Sequence, residues 1–281
     1  MGVAEPIDIP AAGSRTPGLW HGEVTVDGGL LPIALAGDGP PLILLHGWTL
    51  DARMWLPQVA ALAQHFLLVM PDRRGFGRAT APPDLAREAE DVQRIADFLG
   101  FGRFALLGLS QGAAVALDCA HRHDWRIGAL VISGAPMPAL VPRDEVIDLD
   151  RYRQSAAAGD MAAMRADWRG HALMRHDNPE TQALVEQMLG DYEGRDLLAP
   201  SQVPGVPRDA LAHLPMPLLA MTGSGDSQWR RDCARELAAI APRGKFATIE
   251  AAGHLANLDR PDIFNRTTAD FLLKCGLDKT S

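Results

Sequence analysis

Ser110 lies in a short segment whose residue types suit a reactive serine. The segment Gly108-Leu109-Ser110-Gln111-Gly112 follows an apolar run typical of a buried strand and precedes a helical pattern. A nucleophile on such a sharp turn has a strained backbone, so the residues two positions to either side must be small. Gly108 and Gly112 meet this need, and the start of a helix favours the negative charge that develops during reaction. We therefore predict that Ser110 is a nucleophile.

A serine hydroxyl is a weak nucleophile without a base, and the base in turn needs an acid that orients it. His254 follows the last strand pattern, and catalytic groups collect at this carboxyl end of a parallel sheet. Asp226 closes a glycine-containing turn after the preceding strand pattern. Asp232 is the nearest alternative acid, but it lies inside the next helical pattern. The chain order serine, acid, histidine therefore predicts a triad of Ser110, Asp226 and His254.

The oxyanion that forms when a serine attacks a carbonyl group needs two backbone N–H donors. One donor is expected at Gln111, directly after the nucleophile. The other is expected in the loop after the apolar run Leu42–Leu45, where the sequence reads His46-Gly47-Trp48. Gly47 allows a close backbone approach, so the backbone N–H of Trp48 is the predicted second donor. The Trp48 indole either lines the substrate pocket or packs in the core as an ordinary aromatic side chain.

The elements that must position these residues alternate between strands and helices. Eight segments predict strands, and the first two form a hairpin: Gly22–Asp27, Leu30–Ala36, Leu42–Leu45, Leu67–Met70, Phe104–Leu107, Ala129–Ile132, Leu218–Thr222 and Phe246–Ile249. Four amphipathic segments predict helices: Asp84–Leu99, Gln111–His121, Arg230–Ile240 and Asp262–Cys275. Because this alternation is typical of the α/β class, we expect a mostly parallel eight-stranded sheet, covered on both faces and with an antiparallel edge.

One long segment interrupts the alternation of strands and helices. From Pro138 to Pro217 the sequence has helical patterns bounded by prolines and glycines, but no strand pattern. We therefore expect residues 138–217 to form a helical cap, or lid. The core would then consist of residues 1–137 and 218–281.

The predicted cap also supplies candidate pocket residues. Its soft apolar side chains suit a pocket that adapts to shape, although core packing is their commoner role: Met161, Met164, Trp168, Met174, Met188 and Tyr192. We predict that Trp48, Met161 and Trp168 line the substrate pocket. Three arginines of the cap are candidates for binding a substrate carboxylate, but we favour a solvated helix face for them: Arg165, Arg169 and Arg175.

Composition limits the partners of the chain. The 281 residues carry a formal net charge of −8, which disfavours contact with nucleic acid or an anionic membrane. No apolar run is long enough to span a bilayer and no signal peptide is evident, so we expect a cytoplasmic protein with a small-molecule partner. Cys119, Cys233 and Cys275 are far apart, and no cluster of potential ligands has metal-binding spacing. We therefore expect neither a metal nor another cofactor.

Four motifs in order resemble those of the α/β-hydrolase superfamily: His46-Gly47-Trp48, Asp72-Arg73-Arg74-Gly75-Phe76-Gly77, the Ser110 turn, and the pair Gly223–Asp226 and Gly253-His254. The resemblance spans about Val24 to Leu273 and implies the α/β-hydrolase fold, with Asp72 and Arg74 in structural roles. The second motif is typical of the capped, esterase-like branch. The stretch His254–Leu258, followed by Arg260-Pro261, is similar to that of oxoadipate enol-lactonases and small-ester hydrolases.

This resemblance implies that the chain hydrolyses carboxylic esters or lactones of small to medium size through an acyl-enzyme intermediate. The motifs also resemble those of carbon–carbon bond hydrolases, cofactor-free haloperoxidases and perhydrolases. These three activities therefore remain alternatives. Epoxide hydrolases and haloalkane dehalogenases have an aspartate at the nucleophile position, so Ser110 argues against them. A slow-turnover ligand sensor, similar to some plant hormone receptors, is an alternative of another class. The apolar cap residues favour uncharged acyl groups of short or medium length.

Overall fold

The computed structural model describes residues 18–199 and 205–277, and within them eight strands form a single sheet. The strands are β1 (Trp20–Val26), β2 (Gly29–Ala36), β3 (Pro41–Leu45), β4 (Leu67–Pro71), β5 (Phe104–Leu109), β6 (Ile127–Ser133), β7 (Leu218–Gly223) and β8 (Gly244–Ile249). Their order across the sheet is β1-β2-β4-β3-β5-β6-β7-β8. β2 pairs antiparallel with β1 and β4, and all other pairs are parallel. The predicted eight-stranded, mostly parallel sheet with an antiparallel edge is confirmed.

Ten α-helices accompany the sheet in the described residues: α1 (Leu56–Leu62), α2 (Glu88–Phe98), α3 (Gln111–Arg122), α4 (Leu149–Ala157), α5 (Met161–Arg169), α6 (Pro179–Asp191), α7 (Arg208–Leu211), α8 (Gln228–Ile240), α9 (Ala256–Asp259) and α10 (Pro261–Leu273). The four predicted helices correspond to α2, α3, α8 and α10. α8 begins earlier than predicted because the Ser227 side chain caps it by accepting the backbone N–H of Arg230. Across these described ranges, no helix has the length and apolar character needed to cross a membrane.

The central strands are apolar throughout because both faces of the sheet are covered. Every residue of β3, β4, β5, β6 and β7 is buried, and successive side chains point to opposite faces. In β5, Leu106 packs in the cluster that contains residues of α2, α3 and α8. Its neighbour Leu107 packs in the cluster that contains residues of α1 and α10. The parallel strands then end at one common edge, where the loops after β3, β5, β7 and β8 come together.

Residues 138–217, called the helical segment below, connect β6 to β7. In its described part this segment contains α4, α5, α6 and α7 and no strand, as the sequence predicts. Trp168 of α5 and Leu189 of α6 are buried in the same apolar cluster as Leu107. The part of the helical segment with α5 and α6 therefore packs with α1 and α10, whereas Leu211 of α7 belongs to the cluster with α2, α3 and α8.

Candidate active site

Ser110 occupies a strained turn between β5 and α3. Its backbone has φ 56° and ψ −117°, and a positive φ is unusual for a residue with a side chain. Gly108 and Gly112 must be glycine for a steric reason. A Cβ atom on Gly108 would lie 2.4 Å from the carbonyl oxygen of Gly112, and one on Gly112 would lie 2.3 Å from that of Leu45. The backbone N–H of Ser110 donates to the carbonyl of Ser133 at 2.8 Å, which ties this turn to the end of β6.

Asp226 and His254 form a buried pair at the same sheet edge. Asp226 follows β7, and its Oδ2 lies 2.9 Å from Nδ1 of His254, which follows β8. The other carboxylate oxygen accepts the backbone N–H of Ser227 at 2.8 Å. Nε2 of His254 is buried without a hydrogen-bond partner among the described residues, and His254 lines the same cavity as Ser110. This arrangement leaves Nε2 free to exchange a proton inside the cavity.

The charge of Asp226 is maintained despite its burial. Burial alone would raise the pKa of this carboxyl group, but the neighbouring His254 and Arg230 outweigh burial, so the pKa lies below its usual range. By contrast, the rival acid Asp232 is a partly exposed residue of α8, where its carboxylate pairs with Arg235 at 2.9 Å. The geometry thus brings Asp226, and not Asp232, to the imidazole.

A second buried ion pair, between Arg230 and Glu145, lies close to the imidazole of His254. Arg230 of α8 donates from Nη2 and Nε to the carboxylate of Glu145, at 2.7 and 3.0 Å. Its Nη1 donates to the carbonyl of Gly134 at 2.6 Å. Gly134 lies directly against the imidazole, since a Cβ atom there would lie 2.9 Å from Cε1 of His254. Sequence analysis missed Arg230 and Glu145, because no local pattern relates an arginine of α8 to a glutamate of the helical segment.

The two expected oxyanion donors lie beside Ser110. The backbone N–H groups of Trp48 and Gln111 have no acceptor among the described residues, and both residues line the cavity. Arg73 fastens the two segments to each other, because its guanidinium donates to the carbonyl of His46 at 2.8 Å and to Oε1 of Gln111 at 3.0 Å. Sequence analysis missed this role of Arg73, although the residue stands inside a motif that was singled out.

The motif that begins at Asp72 shapes the turn after β4. Its carboxylate oxygens accept the backbone N–H groups of Ala52 and Arg78, at 3.0 and 2.9 Å. Gly77 has φ 50°, and a Cβ atom there would lie 2.5 Å from Cγ of Asp72. Arg74 forms an ion pair with Asp91 of α2 at 2.7 Å, with its side chain 1% exposed. These contacts are structural and touch neither Ser110 nor His254.

The cavity at this edge has a volume of about 150 Å³ and a mostly apolar wall. Trp48 and Trp168 both line it, as predicted, with ring centroids 4.7 Å apart. The prediction for Met161 is wrong. Its side chain packs against Gly194, where a Cβ atom would lie 2.6 Å from Cε of Met161, and it does not line the cavity. Of the remaining cap candidates, Met174 lines the cavity, whereas Met164, Met188 and Tyr192 do not.

The three arginines that sequence analysis weighed as carboxylate binders do not line the cavity. Arg165 donates to the carbonyl groups of Gly190 and Tyr192, both at 2.8 Å. Arg169 pairs with Glu186, and Arg175 is exposed. The arginines that do line the cavity are Arg143, Arg153 and Arg230. Their absence from the cavity lining agrees with the preference against a carboxylate-binding role, but the second set was not foreseen.

No three His, Cys, Asp or Glu side chains in residues 18–199 and 205–277 come together in a group that could hold a metal ion. Cys119 and Cys233 are buried, Cys275 is partly buried, and all three are free thiols.

A model of the alpha/beta hydrolase family matches residues 42–267. The chain belongs to this family. The matched residues include all three members of the predicted triad and both expected oxyanion donors. The family therefore accounts for the fold and for the common edge at which these groups meet.

Several known α/β-hydrolases are similar to this chain. Carboxylesterase YbfK of Bacillus subtilis is 29% identical over 253 residues, which are 85% of this chain and 81% of the relative. A soluble epoxide hydrolase from a Corynebacterium species is 33% identical, but over only 106 residues, or 37% of each chain. The solved structure of an enol-lactonase from Burkholderia xenovorans has a TM-score of 0.76 and 24% identity, covering 90% of this chain and 100% of that one. The relatives agree on a hydrolase and differ in substrate.

Proposed function

We propose that this α/β-hydrolase is a serine hydrolase that cleaves carboxylic esters or lactones of small to medium size. The observation that carries the proposal is the pairing of His254 with Asp226 at 2.9 Å, with Nε2 of His254 unpartnered among the described residues. Ser110 lies on a strained turn and lines the same cavity as this imidazole. A serine, an imidazole and an orienting carboxylate at the lip of an apolar cavity suit acyl transfer.

In the proposed reaction, Nε2 of His254 takes the proton of the Ser110 hydroxyl while Oγ attacks the carbonyl carbon. The negative charge then develops on the carbonyl oxygen, where the backbone N–H groups of Trp48 and Gln111 would stabilise it. The protonated imidazole gives its proton to the departing alkoxide, which leaves an acyl-Ser110. Water, deprotonated by His254, then hydrolyses this ester and regenerates the serine. Asp226 stays ionised and holds Nδ1–H in place throughout.

The size of the cavity supports small substrates. A cavity of about 150 Å³ is comparable to one that accommodates benzene, so it suits a short acyl group or a small lactone. We further propose that residues 138–217 act as a cap over a core of residues 1–137 and 218–281. In support, Trp168, Met174 and Leu197 of the helical segment line the cavity together with Ser110 and His254 of the core.

Ser110→Ala tests the proposed function. We expect it to lower turnover of a chromogenic short-chain ester by at least about a thousandfold, since a triad without its nucleophile loses nearly all its rate. The melting temperature should stay within a few degrees of wild type, because the hydroxyl group is replaced by a hydrogen atom without a change of backbone. Labelling by a fluorophosphonate probe, read by intact mass, should occur in the wild type and be lost in the variant. Turnover of the variant near the wild-type rate would show that Ser110 is not the nucleophile.

A further inference from the structure

A carboxylate of the helical segment lies in the wall of the cavity, and the proposed reaction does not use it. Asp196 belongs to a 3₁₀ turn, Arg195–Leu198, and lines the cavity together with Ser110 and Gln111. Its Oδ2 accepts the indole N–H of Trp48 at 2.7 Å. Its Oδ1 accepts the hydroxyl group of Tyr192, also at 2.7 Å.

Neutral donors alone hold this carboxylate. Among the described residues, no arginine, lysine or histidine forms an ion pair with Asp196. Burial raises its pKa above the usual range, although Tyr192, Trp48 and the positive charge of Arg73 oppose that effect. A largely desolvated carboxylate that forms no ion pair is costly to a fold. Its place in the cavity wall therefore calls for a compensating role.

Trp48 does not need this carboxylate to stay in place. Its indole ring contacts the rings of Trp168 and Tyr152, with centroids 4.7 and 6.1 Å away. A neutral amide or a water molecule at residue 196 would satisfy the same indole N–H group. A carboxylate offers additional hydrogen-bond acceptor sites. Each of its oxygens accepts about two hydrogen bonds, and each oxygen of Asp196 accepts only one here.

We propose that Asp196 is a binding residue for a hydroxyl group of the substrate, so that esters bearing a hydroxyl group are preferred over analogues that cannot donate a hydrogen bond. This inference rests on the proposed function, and it adds a substrate class to it. The rest of the wall is mostly apolar, and such pockets obtain their specificity from a few polar groups. A hydroxyl group that donates to Asp196 would restore part of the solvation that the carboxylate loses in the folded protein.

The test uses esters in pairs, with fluorine in place of a hydroxyl group, because fluorine is of similar size but cannot donate. One pair varies the acyl part, ethyl β-hydroxybutyrate against ethyl β-fluorobutyrate. The other varies the alcohol part, hydroxyethyl butyrate against fluoroethyl butyrate. In at least one pair, the wild type should favour the hydroxyl ester in kcat/KM by about tenfold or more, the usual worth of a hydrogen bond to a charged group. Most of this preference should appear in KM.

Asp196→Asn should reduce that preference to about threefold or less. Asparagine keeps the size of the side chain, an oxygen for the Trp48 indole and an amide group that can face the Tyr192 oxygen, so the fold should tolerate it. The matched control is Asp191→Asn, which removes an exposed carboxylate of α6 that pairs with Arg53 outside the cavity. This control should keep the full preference. Tyr192→Phe, which leaves the Asp196 carboxylate in place, should also keep it.

Three outcomes overturn the inference. The first is a wild type that discriminates in neither pair. The second is an Asp196→Asn variant that retains the preference, or that slows both members of a pair equally, as a purely structural role would. The third is a failure to hydrolyse any of the four esters, which would contradict both the proposed function and this inference. Hydrolysis without discrimination, by contrast, refutes the inference alone.

Discussion

Replacing Glu145 by glutamine removes one charge from the ion pair behind the candidate catalytic imidazole. The side chains of Arg230 and Glu145 are only 3% and 6% exposed. Glutamine keeps the shape and one acceptor oxygen, but it deprives the buried Arg230 guanidinium of its ion-pair partner. Breaking a buried pair in this way costs about 3–5 kcal/mol, and the lower value applies because one hydrogen bond survives.

The expected shift in melting temperature follows from the size of the chain. An unfolding entropy of about 2.1 cal/mol/K per residue gives about 0.6 kcal/mol/K for 281 residues. A loss of about 3 kcal/mol therefore lowers Tm by about 5 °C, which circular dichroism at neutral pH can resolve. The matched control is Glu236→Gln, because Glu236 pairs with Arg208 at 3.3 Å but both side chains are about half exposed. An exposed pair is worth less than about 1 kcal/mol, so this variant should melt within about 2 °C of wild type.

The same pair predicts how the effect depends on pH. Burial would raise the pKa of Glu145, but the Arg230 guanidinium outweighs it, so the pKa lies below the ordinary value of 4.5. A carboxylate with a depressed pKa stabilises the folded state above its unfolded-state value, and this contribution is lost as the pH falls through the folded-state value. The difference in free energy of unfolding between wild type and Glu145→Gln should be largest near neutral pH and shrink below about pH 4.5. Equal melting of the Glu145 and Glu236 variants, or a difference that does not change with pH, would refute the reasoning.

Two further substitutions test the geometry around His254. Asp226→Asn should lower kcat by about 10⁴ through the wrong imidazole tautomer, whereas Asp232→Asn should leave it unchanged; the reverse result in steady-state kinetics would move the acid to Asp232. Gly134→Ala should lower kcat by about tenfold or more, because its Cβ atom would lie 2.9 Å from Cε1 of His254 at a backbone φ of 57°. Gly159→Ala is its control, since φ is 74° there but no atom lies within 4 Å of the added Cβ; equal kcat values for the two variants would show that contact with the imidazole does not matter.

The sheet was predictable from the sequence because its central strands are buried on both faces. Double burial demands continuous apolar runs, and the runs at Leu42–Leu45 and Phe104–Leu107 fall within β3 and β5. The candidate triad could be predicted from the sequence for a related reason. Each member follows a parallel strand, and parallel strands end at one edge, so chain order and turn glycines are enough to propose that they meet.

The packing of the helical segment could not be predicted in the same way. Helical periodicity shows which face of a helix is apolar, but not which part of the protein that face contacts. Met161 and Trp168 were both predicted to line the pocket, yet Trp168 lines the cavity and Met161 packs against Gly194. The orientation of α5 depends on long-range contacts, such as the hydrogen bond from the Trp168 indole to Oγ1 of Thr49 at 2.9 Å. Asp196 was missed for the same reason, since its partner Trp48 lies 148 positions away in the sequence.

Several polar contacts fasten the helical segment to the loops that carry the candidate catalytic groups, and three of them centre on the carboxylates of Glu145, Asp196 and Asp259. Two were described above: Glu145 with Arg230, and Asp196 with Trp48. In the third, Nδ1 of His176 lies 2.8 Å from Oδ1 of Asp259, with both side chains nearly buried. Oδ2 of Asp259 accepts the backbone N–H of Gly253 at 2.7 Å, directly before His254. Each contact therefore ends within a few residues of Asp226, His254 or Trp48.

These contacts bear on how a substrate enters. Lifting the helical segment as a rigid lid would break the buried ion pair of Glu145 with Arg230. It would also release the loop before His254 and the indole of Trp48, so the open form would lose the arrangement that the reaction needs. Arg143 and Arg153 line the cavity and have side chains 41% and 46% exposed. The cavity thus reaches solvent beside these two arginines, and a small substrate can enter there while the three contacts stay intact.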